Sequence, residues 1–375
     1  MAGIYIHIPY CRTRCHYCDF YKTVSFSTKK EFLSSLKKEF FFRKNEINEV
    51  VNSIYFGGGT PSLLQPSEIQ QILLVLFTVF KIDNKAEITL EANPDDLSCD
   101  YLQSLKKIGI NRLSIGIQSF HDEELKMMNR RHNVKQAVDS IINAKNSGFD
   151  NISIDLLYGL PKQNLQQWKK NLEQVILLNV AHLSAYHLTY HEGTIFSKYL
   201  KEGKITEISE GVSLKQFKLL KSMLEEVGYE HYEISNFARD GLYSRHNCSY
   251  WNGTKYLGFG PAAHSYDERT RRWNITNLSR YLSALKSNRT WWQEEVLSPE
   301  DRYNDYMITA LRTKWGISLS HLELTFSNKI VQYFLQRSQS YIQSGHLYCK
   351  DGIYRLSENG LFISDRIMEN LFYLL

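Results

Sequence analysis

Residues 8–20 read Ile8-Pro9-Tyr10-Cys11-Arg12-Thr13-Arg14-Cys15-His16-Tyr17-Cys18-Asp19-Phe20. The spacing C-x3-C-x2-C puts three thiols within eight residues, directly after the apolar run 4–8. Iron–sulfur clusters are ordinarily held by four cysteine thiolates. A set of three leaves one iron without a protein ligand, and therefore room for a small molecule on the cluster. The competing readings are a zinc site completed by His7 or His16, and a disulfide. Zinc sites favour paired cysteine units separated by a longer loop, whereas Cys99, Cys248 and Cys349 are each isolated. Three cysteines in one short run also make poor disulfide partners, and nothing points to an oxidising compartment.

Outward from this stretch, short β-rich runs alternate with longer amphipathic ones. The strand candidates are residues 4–8, 51–56, 87–92, 112–117, 152–156 and 182–187. They are rich in Val, Ile, Leu and Tyr and have the length of buried strands. Helical patterns occupy 29–44, 67–80, 100–108, 134–147 and 166–178, and Gly109 and Gly148 close two of them. Strand–helix alternation favours a parallel sheet with right-handed crossovers. Six units are too few for a closed eight-strand barrel, so the expected fold is α/β, an open partial (β/α)6 barrel with its site at the C-terminal strand ends. From about residue 297 helices at 298–313 and 329–344 are followed by a hairpin, 346–356, turning on Asp351-Gly352, and a last helix at 358–372. That is the pattern of a smaller winged-helix-like α+β module. The expected organisation is a barrel over 1–230, a connection over 231–296 and the module over 297–375.

Composition limits the function classes. With 23% charged residues and a net charge of +5 over 375 residues, the chain is globular and has no marked pull toward nucleic acid. Residues 295–375 carry eight Lys/Arg against nine Asp/Glu, so the module reads as a docking or structural element, with no nucleic acid expected. No run reaches the ~18 apolar residues of a membrane span. The first residues enter a strand pattern directly, without the regions of a signal peptide. A cytoplasmic location is expected.

Candidate ligand-binding residues cluster at strand ends. Gly57-Gly58-Gly59-Thr60-Pro61 follows the second strand, and such a turn lets backbone N–H groups approach an anionic ligand. It is neither a Walker loop nor a dinucleotide fingerprint. Glu91, Gln118 and Asp155 stand at the ends of the next three strands and converge on one mouth. A carboxylate there suits an amino group or a ribose diol, and Arg130 could meet a ligand carboxylate. A second dense stretch, residues 244–253, holds His246, Tyr250 and Trp251, an imidazole among aromatics able to ligate or stack on a planar macrocycle. A hydrogen-bonded packing role for that histidine is the competing reading. Arg269, Arg271 and Arg272 could meet propionates, although Asp267 and Glu268 beside them favour a solvated turn.

With Ile8-Pro9-Tyr10-Cys11, the Gly-Gly-Gly-Thr-Pro turn, Glu91-Ala92-Asn93-Pro94, Ser114-Ile115-Gly116-Ile117-Gln118-Ser119-Phe120, Asp155-Leu156-Leu157-Tyr158-Gly159-Leu160-Pro161, Tyr232-Glu233-Ile234-Ser235-Asn236-Phe237-Ala238 and His246-Asn247-Cys248-Ser249-Tyr250-Trp251, the chain resembles, nearly end to end, a known group. That group is the oxygen-independent coproporphyrinogen III oxidase-like branch of the radical SAM (S-adenosylmethionine) superfamily, and within it the HemW-type haem chaperones. The resemblance implies a [4Fe–4S] cluster on Cys11, Cys15 and Cys18. It implies SAM beside Tyr5 and Tyr17, held by Gly58, Gly59, Thr60 and Glu91, with Gln118, Arg130 and Asp155 lining the same region. It assigns no catalytic residue.

Two departures separate this chain from the decarboxylating enzymes of the group. Those carry a further cysteine two residues beyond the third, where this chain has Phe20, and an N-terminal extension over the substrate. The His246-Asn247-x-x-Tyr250-Trp251 motif is typical of the haem chaperones, which makes His246 the candidate haem ligand. Asn129 stands before Arg130 where such chains commonly have glycine. The resemblance thus implies a chaperone that passes haem to membrane respiratory haem proteins, peripheral to the membrane through those partners, with a homodimer as a further expectation. The alternative is the enzyme itself, oxidatively decarboxylating coproporphyrinogen III to protoporphyrinogen IX.

Overall fold

The six apolar runs become six parallel strands in chain order: β1 (Ala2–Ile8), β2 (Val51–Gly58), β3 (Ile82–Ala92), β4 (Arg112–Gln118), β5 (Asn151–Tyr158) and β6 (His182–His187). The computed structural model describes residues 1–374. The crossovers carry helices Lys29–Phe42, Pro66–Val79, Cys99–Lys107, Val134–Asn146 and Leu165–Leu178. Asn133 and Asn164 each form a capping box with the glutamine three residues on, fixing where two of these helices begin.

Side chains alternate along each strand. One set, including Ile4, Ile6, Ile54, Phe56, Ile88, Leu90, Leu113, Ile115, Ile152 and Ile154, packs under the helices in the main core. The other set faces the concave side and is polar: Tyr55 from β2, Glu91 from β3, Arg112 and Ser114 from β4, Asp155 from β5, Ser184 and Tyr186 from β6. The sheet is therefore a trough with an apolar back and a polar lumen.

Residues 231–296, expected as a connection, extend this sheet at both edges. β7 (Glu230–Glu233) and β8 (Asn236–Ala238) continue antiparallel beyond β6. β9 (Tyr256–Phe259) pairs parallel to β1, followed outward by antiparallel β10 (His264–Tyr266), β11 (Thr270–Asn274) and β12 (Trp292–Val296). The twelve strands run in the order β12-β11-β10-β9-β1-β2-β3-β4-β5-β6-β8-β7, so the sheet stays open. The buried Glu39 carboxylate anchors the β9 edge. It accepts from Gly260 N (2.9 Å), Asn274 Nδ2 (2.7 Å), Tyr281 OH (2.5 Å) and Trp291 Nε1 (3.1 Å), with Arg43 Nη1 at 3.4 Å. So many donors are what make a buried charge tolerable.

The C-terminal module has its own antiparallel sheet of β13 (Ile317–Ser318), β15 (Ile353–Leu356) and β14 (Leu347–Lys350), and a separate core around Tyr303, Met307, Phe334, Leu347 and Ile367. Three helices before the β14–β15 hairpin give it the winged-helix order. It is tied to the barrel by Arg312, whose Nε and Nη2 donate to the buried Glu233 carboxylate at 3.0 and 2.8 Å.

Candidate functional site

The C-terminal ends of β1–β6 open into a cavity of about 430 Å³. It is lined by Cys11, Cys15, Tyr17, Cys18, Gly58, Gly59, Thr60, Glu91, Gln118, Arg130 and Asp155. Of the residues that the resemblance assigned to the cluster, SAM or haem, Tyr5 and His246 lie outside this lining, as do Tyr250, Trp251 and the arginines at 269, 271 and 272.

The cysteine loop is held from three sides. Cys11 N donates to Thr23 O (2.9 Å), His16 N to Met128 O (3.1 Å), and Phe196 N to His16 O (2.9 Å). Asn129, at φ 58°, adopts the left-handed conformation that favours glycine and that asparagine tolerates. Its Nδ2 also donates to Arg14 O at 2.8 Å, a tether that glycine lacks. The glycine turn is joined to the base of the same loop: Gly59 N donates to Ile8 O and Thr60 N to Tyr10 O, both at 2.8 Å. A Cβ at Gly59 would stand 2.7 Å from each of those carbonyl oxygens, and Gly58 has φ +100° with the His7 ring against it. Both positions therefore need glycine.

The donor set fits an iron–sulfur cluster. All three thiols are free, Thr60 Oγ1 donates to Cys11 Sγ (3.3 Å) and Arg130 Nη1 to Cys15 Sγ (3.4 Å). Burial pushes the Cys11 and Cys18 thiols up, so loading must supply the charge that favours thiolate. Among the described residues no three His, Cys, Asp or Glu groups stand close enough for one metal ion. His7 Nε2 is bonded to Tyr21 O (2.9 Å) and His16 Nδ1 to Met127 O (2.9 Å).

Two carboxylates share the cavity lining with the thiols. Burial pushes Glu91 up to about 7 and Asp155 to about 6. Glu91 accepts from Tyr55 OH (2.8 Å) and Asp155 from Ser114 Oγ (3.3 Å). Neither is within ion-pair distance of a protein cation among the described residues, although the Arg112 guanidinium in the same lumen acts favourably on both charges. Arg130 is different: its Nη2 is spent on Asn93 Oδ1 (2.7 Å) and Gly116 O (2.6 Å), which aims Nη1 at Cys15. Gln118 sits at φ 68°, where β4 shifts register against β5, and this turn brings it to the cavity.

Tyr5 lies deeper, stacked on Tyr55 (6.1 Å between centroids) and His246 (6.3 Å), its OH 3.3 Å from His7 Nδ1. The expectation that His246 ligates haem iron meets a ring with no free nitrogen. Its Nδ1 is bonded to Ser53 Oγ (3.0 Å) and its Nε2 to Tyr250 OH (2.8 Å), and the residue is 1% exposed. Burial pushes it down to about 3, so it is neutral. Its helix, Arg245–Trp251, closes the N-terminal end of the barrel: the Glu87 carboxylate accepts from Arg245 N (3.1 Å) and His246 N (3.2 Å), a favourable charge at a helix start. The neighbour Asn247, not His246, reaches the cavity. On the far side of the helix a second cleft of about 660 Å³ contains Arg245, Cys248, Tyr243 and Trp315.

Sequence reasoning missed Asn93, Arg112, Ser114, Ser184, Tyr186 and Asn247. The signal was the period of two: polar residues at alternate positions throughout β3–β6, of which only the last were singled out.

The chain matches the radical SAM superfamily over residues 5–175 and the HemN C-terminal domain over residues 297–363. It is 32% identical to the haem chaperone HemW of Lactococcus lactis over 97% of this chain and 96% of that one. It is 30% identical to the haem chaperone HemW of Bacillus subtilis over 98% of each. Radical S-adenosyl methionine domain-containing protein 1, mitochondrial, of Danio rerio is 31% identical over 99% of this chain and 86% of that one. The solved coproporphyrinogen III oxidase HemN of Escherichia coli shares the fold, with a TM-score of 0.86 over 100% of this chain and 90% of that one, at 24% identity. Among the described residues no helix is long and apolar enough to cross a membrane.

Proposed function

Because the chain belongs to the HemW-type group of the radical SAM superfamily, we propose that it binds haem and delivers it to membrane respiratory haem proteins. The observation that carries this reading is similarity to two bacterial haem chaperones along essentially the whole chain. Docking at the membrane through those acceptors and pairing as a homodimer belong to the same proposal.

In it, Cys11, Cys15 and Cys18 hold a [4Fe–4S] cluster and SAM occupies the cavity beside them. Bound together, these groups supply one-electron chemistry or a ligand-dependent switch. The chain's own residues do the rest. Thr60 and Arg130 donate to two of the sulfurs and offset the cost of their charge. Glu91 and Asp155 suit the ligand's amino group and ribose hydroxyls, and Gly58 and Gly59 leave room for it against β1. Phe20, 65% exposed at the cavity, stands where the decarboxylating enzymes carry a thiol.

The test is anaerobic reconstitution of the cluster followed by two assays. One titrates haem and follows its transfer to an apo-acceptor. The other supplies SAM, reductant and coproporphyrinogen III and measures protoporphyrinogen. Haem binding and transfer without turnover is the expected result; catalytic turnover would overturn the chaperone reading.

A further inference from the structure

The back of the sheet, away from the cavity, carries the helix Lys29–Phe42 between two neighbours, Pro66–Val79 on one flank and Leu278–Lys286 on the other. The inner faces of all three pack into the main core through Leu36, Phe40, Leu73, Leu76, Tyr281 and Leu285. Their outer faces are not the wholly polar surface that such helices ordinarily present. Phe41, Phe42, Leu74 and Phe77 are 49–61% exposed. Lys37 Nζ donates to Gln71 Oε1 at 2.8 Å, which sets the first two helices side by side, and one turn on from that bond stand Phe41 and Leu74. On the opposite flank the Phe42 ring lies 5.4 Å from that of Trp291, just after the third helix. Single exposed apolar side chains are ordinary; four on adjoining helices form a patch.

The charge around the patch is of one sign. Residues 29–45, 66–79 and 278–290 carry nine Lys/Arg against three Asp/Glu, an excess of six where the whole chain has a net +5. Arg43 and Glu39 are buried together, and Glu68 is paired with Lys29. Glu46, just beyond, is committed to Arg43 and Arg272. Lys30, Lys38, Lys44, Arg280, Lys286 and Arg289 are exposed, and Glu31 is the one exposed acid on these segments.

These two properties together select the partner. Two copies meeting symmetrically through this face would set like charges against each other. A nucleic acid answers the charge and leaves the four apolar side chains without a partner. A bilayer of anionic lipid answers both: the aromatic and aliphatic side chains enter the headgroup–acyl boundary while lysine and arginine stems reach phosphate. We therefore infer that the outer face of these three helices is a membrane-docking surface for anionic phospholipid. It goes beyond the proposed function, in which acceptor proteins bring the chain to the membrane, and it needs no haem.

The experiment is flotation of the full, cluster-reconstituted chain with protein-free vesicles, of phosphatidylcholine alone or mixed with phosphatidylglycerol, at low and high salt. Wild type should partition into the anionic vesicles about tenfold more strongly than into the neutral ones, and high salt should remove most of the difference. Two double variants at exposed positions test the surface: Phe41→Ser with Leu74→Ser, and Lys38→Glu with Lys44→Glu. Each should lower partitioning about tenfold. Lys170→Glu with Lys218→Glu places the same charge change on exposed positions at the other end of the sheet, in helices Leu165–Leu178 and Glu210–Glu226, and should bind as wild type does. Urea unfolding checks that each variant folds; if the apolar pair does not, the charge-reversed pair and its control decide. Wild type that stays off anionic vesicles, or surface variants that bind as wild type does, would overturn the inference. Self-association that Phe41→Ser with Leu74→Ser abolishes, in a chain that ignores lipid, would overturn it too and make the face an interface between copies. Haem titration of the same variants should match wild type, so failure of this surface and failure of the haem reading are separate results.

Discussion

Replacing His246 separates packing from ligation. His246→Ala removes a buried ring stacked 5.1 Å from Tyr55 and strands Ser53 Oγ and Tyr250 OH. A lost buried aromatic and two unpaired hydroxyls together cost about 3–4 kcal/mol at neutral pH. Acid adds a second signature. His246 is held near 3 while an unfolded histidine titrates near 6.5. The unfolded chain therefore binds a proton that the folded chain refuses. This group's contribution is complete above about 6.5 and falls as pH drops toward 3, by about 1.4 kcal/mol per pH unit. His7, His132 and His182 are depressed by burial too, so wild type should be acid-labile by more than one proton. Urea unfolding at pH 5, 6 and 7 should give His246→Gln a slope against pH shallower by one proton, and haem affinity should be unchanged. Wild-type stability and wild-type pH slope in His246→Ala, together with lost haem binding, would refute the packing argument.

Three further substitutions test other parts of the site. Gly59→Ala forces a Cβ to within 2.7 Å of two backbone oxygens; it should cost about 1–3 kcal/mol in chemical denaturation and lower cluster occupancy measured by iron and sulfide content. Glu91 is raised from 4.5 to about 7, so its ionisation progressively destabilises the ligand-free protein as pH rises from about 4.5 to 7. Glu91→Gln should therefore gain on wild type over that window, approaching about 3 kcal/mol, while weakening SAM binding; a pH-independent difference in thermal unfolding would contradict this. Glu39→Ala takes the acceptor from Gly260 N, Tyr281 OH and Trp291 Nε1 in one stroke, although Arg43 keeps Glu46, Gly258 O and Ser265; it should cost about 3–5 kcal/mol and expose residues 256–296 first to limited proteolysis.

The parallel half of the fold was legible because each unit obeys local rules. Strands of six to eleven residues alternate with helices, and most of the crossover helices carry their own N-caps. Residues 230–296 were not, since strands as short as Asn236–Ala238 or His264–Tyr266 exist only through partners far away in the chain. The Glu39 contacts that hold this edge span more than 200 residues. The cluster loop and glycine turn were readable as motifs. The engagement of His246 was not legible because its Ser53 partner lies 193 residues away, and no local pattern reports whether a ring nitrogen is already bonded. Arg112 escaped notice for a related reason: an arginine at a strand start ordinarily faces solvent, and its burial comes from the strands paired on either side.

The helix Arg245–Trp251 makes the trough a cup, with Glu87 gripping its first amides and His246 wedged against β1 and β2. A cup imposes an order of traffic. A ligand in the lumen enters and leaves at the C-terminal strand ends, past the cysteine loop, the glycine turn, Glu91 and Asp155, so two ligands held there together would leave in the reverse of the order in which they arrived.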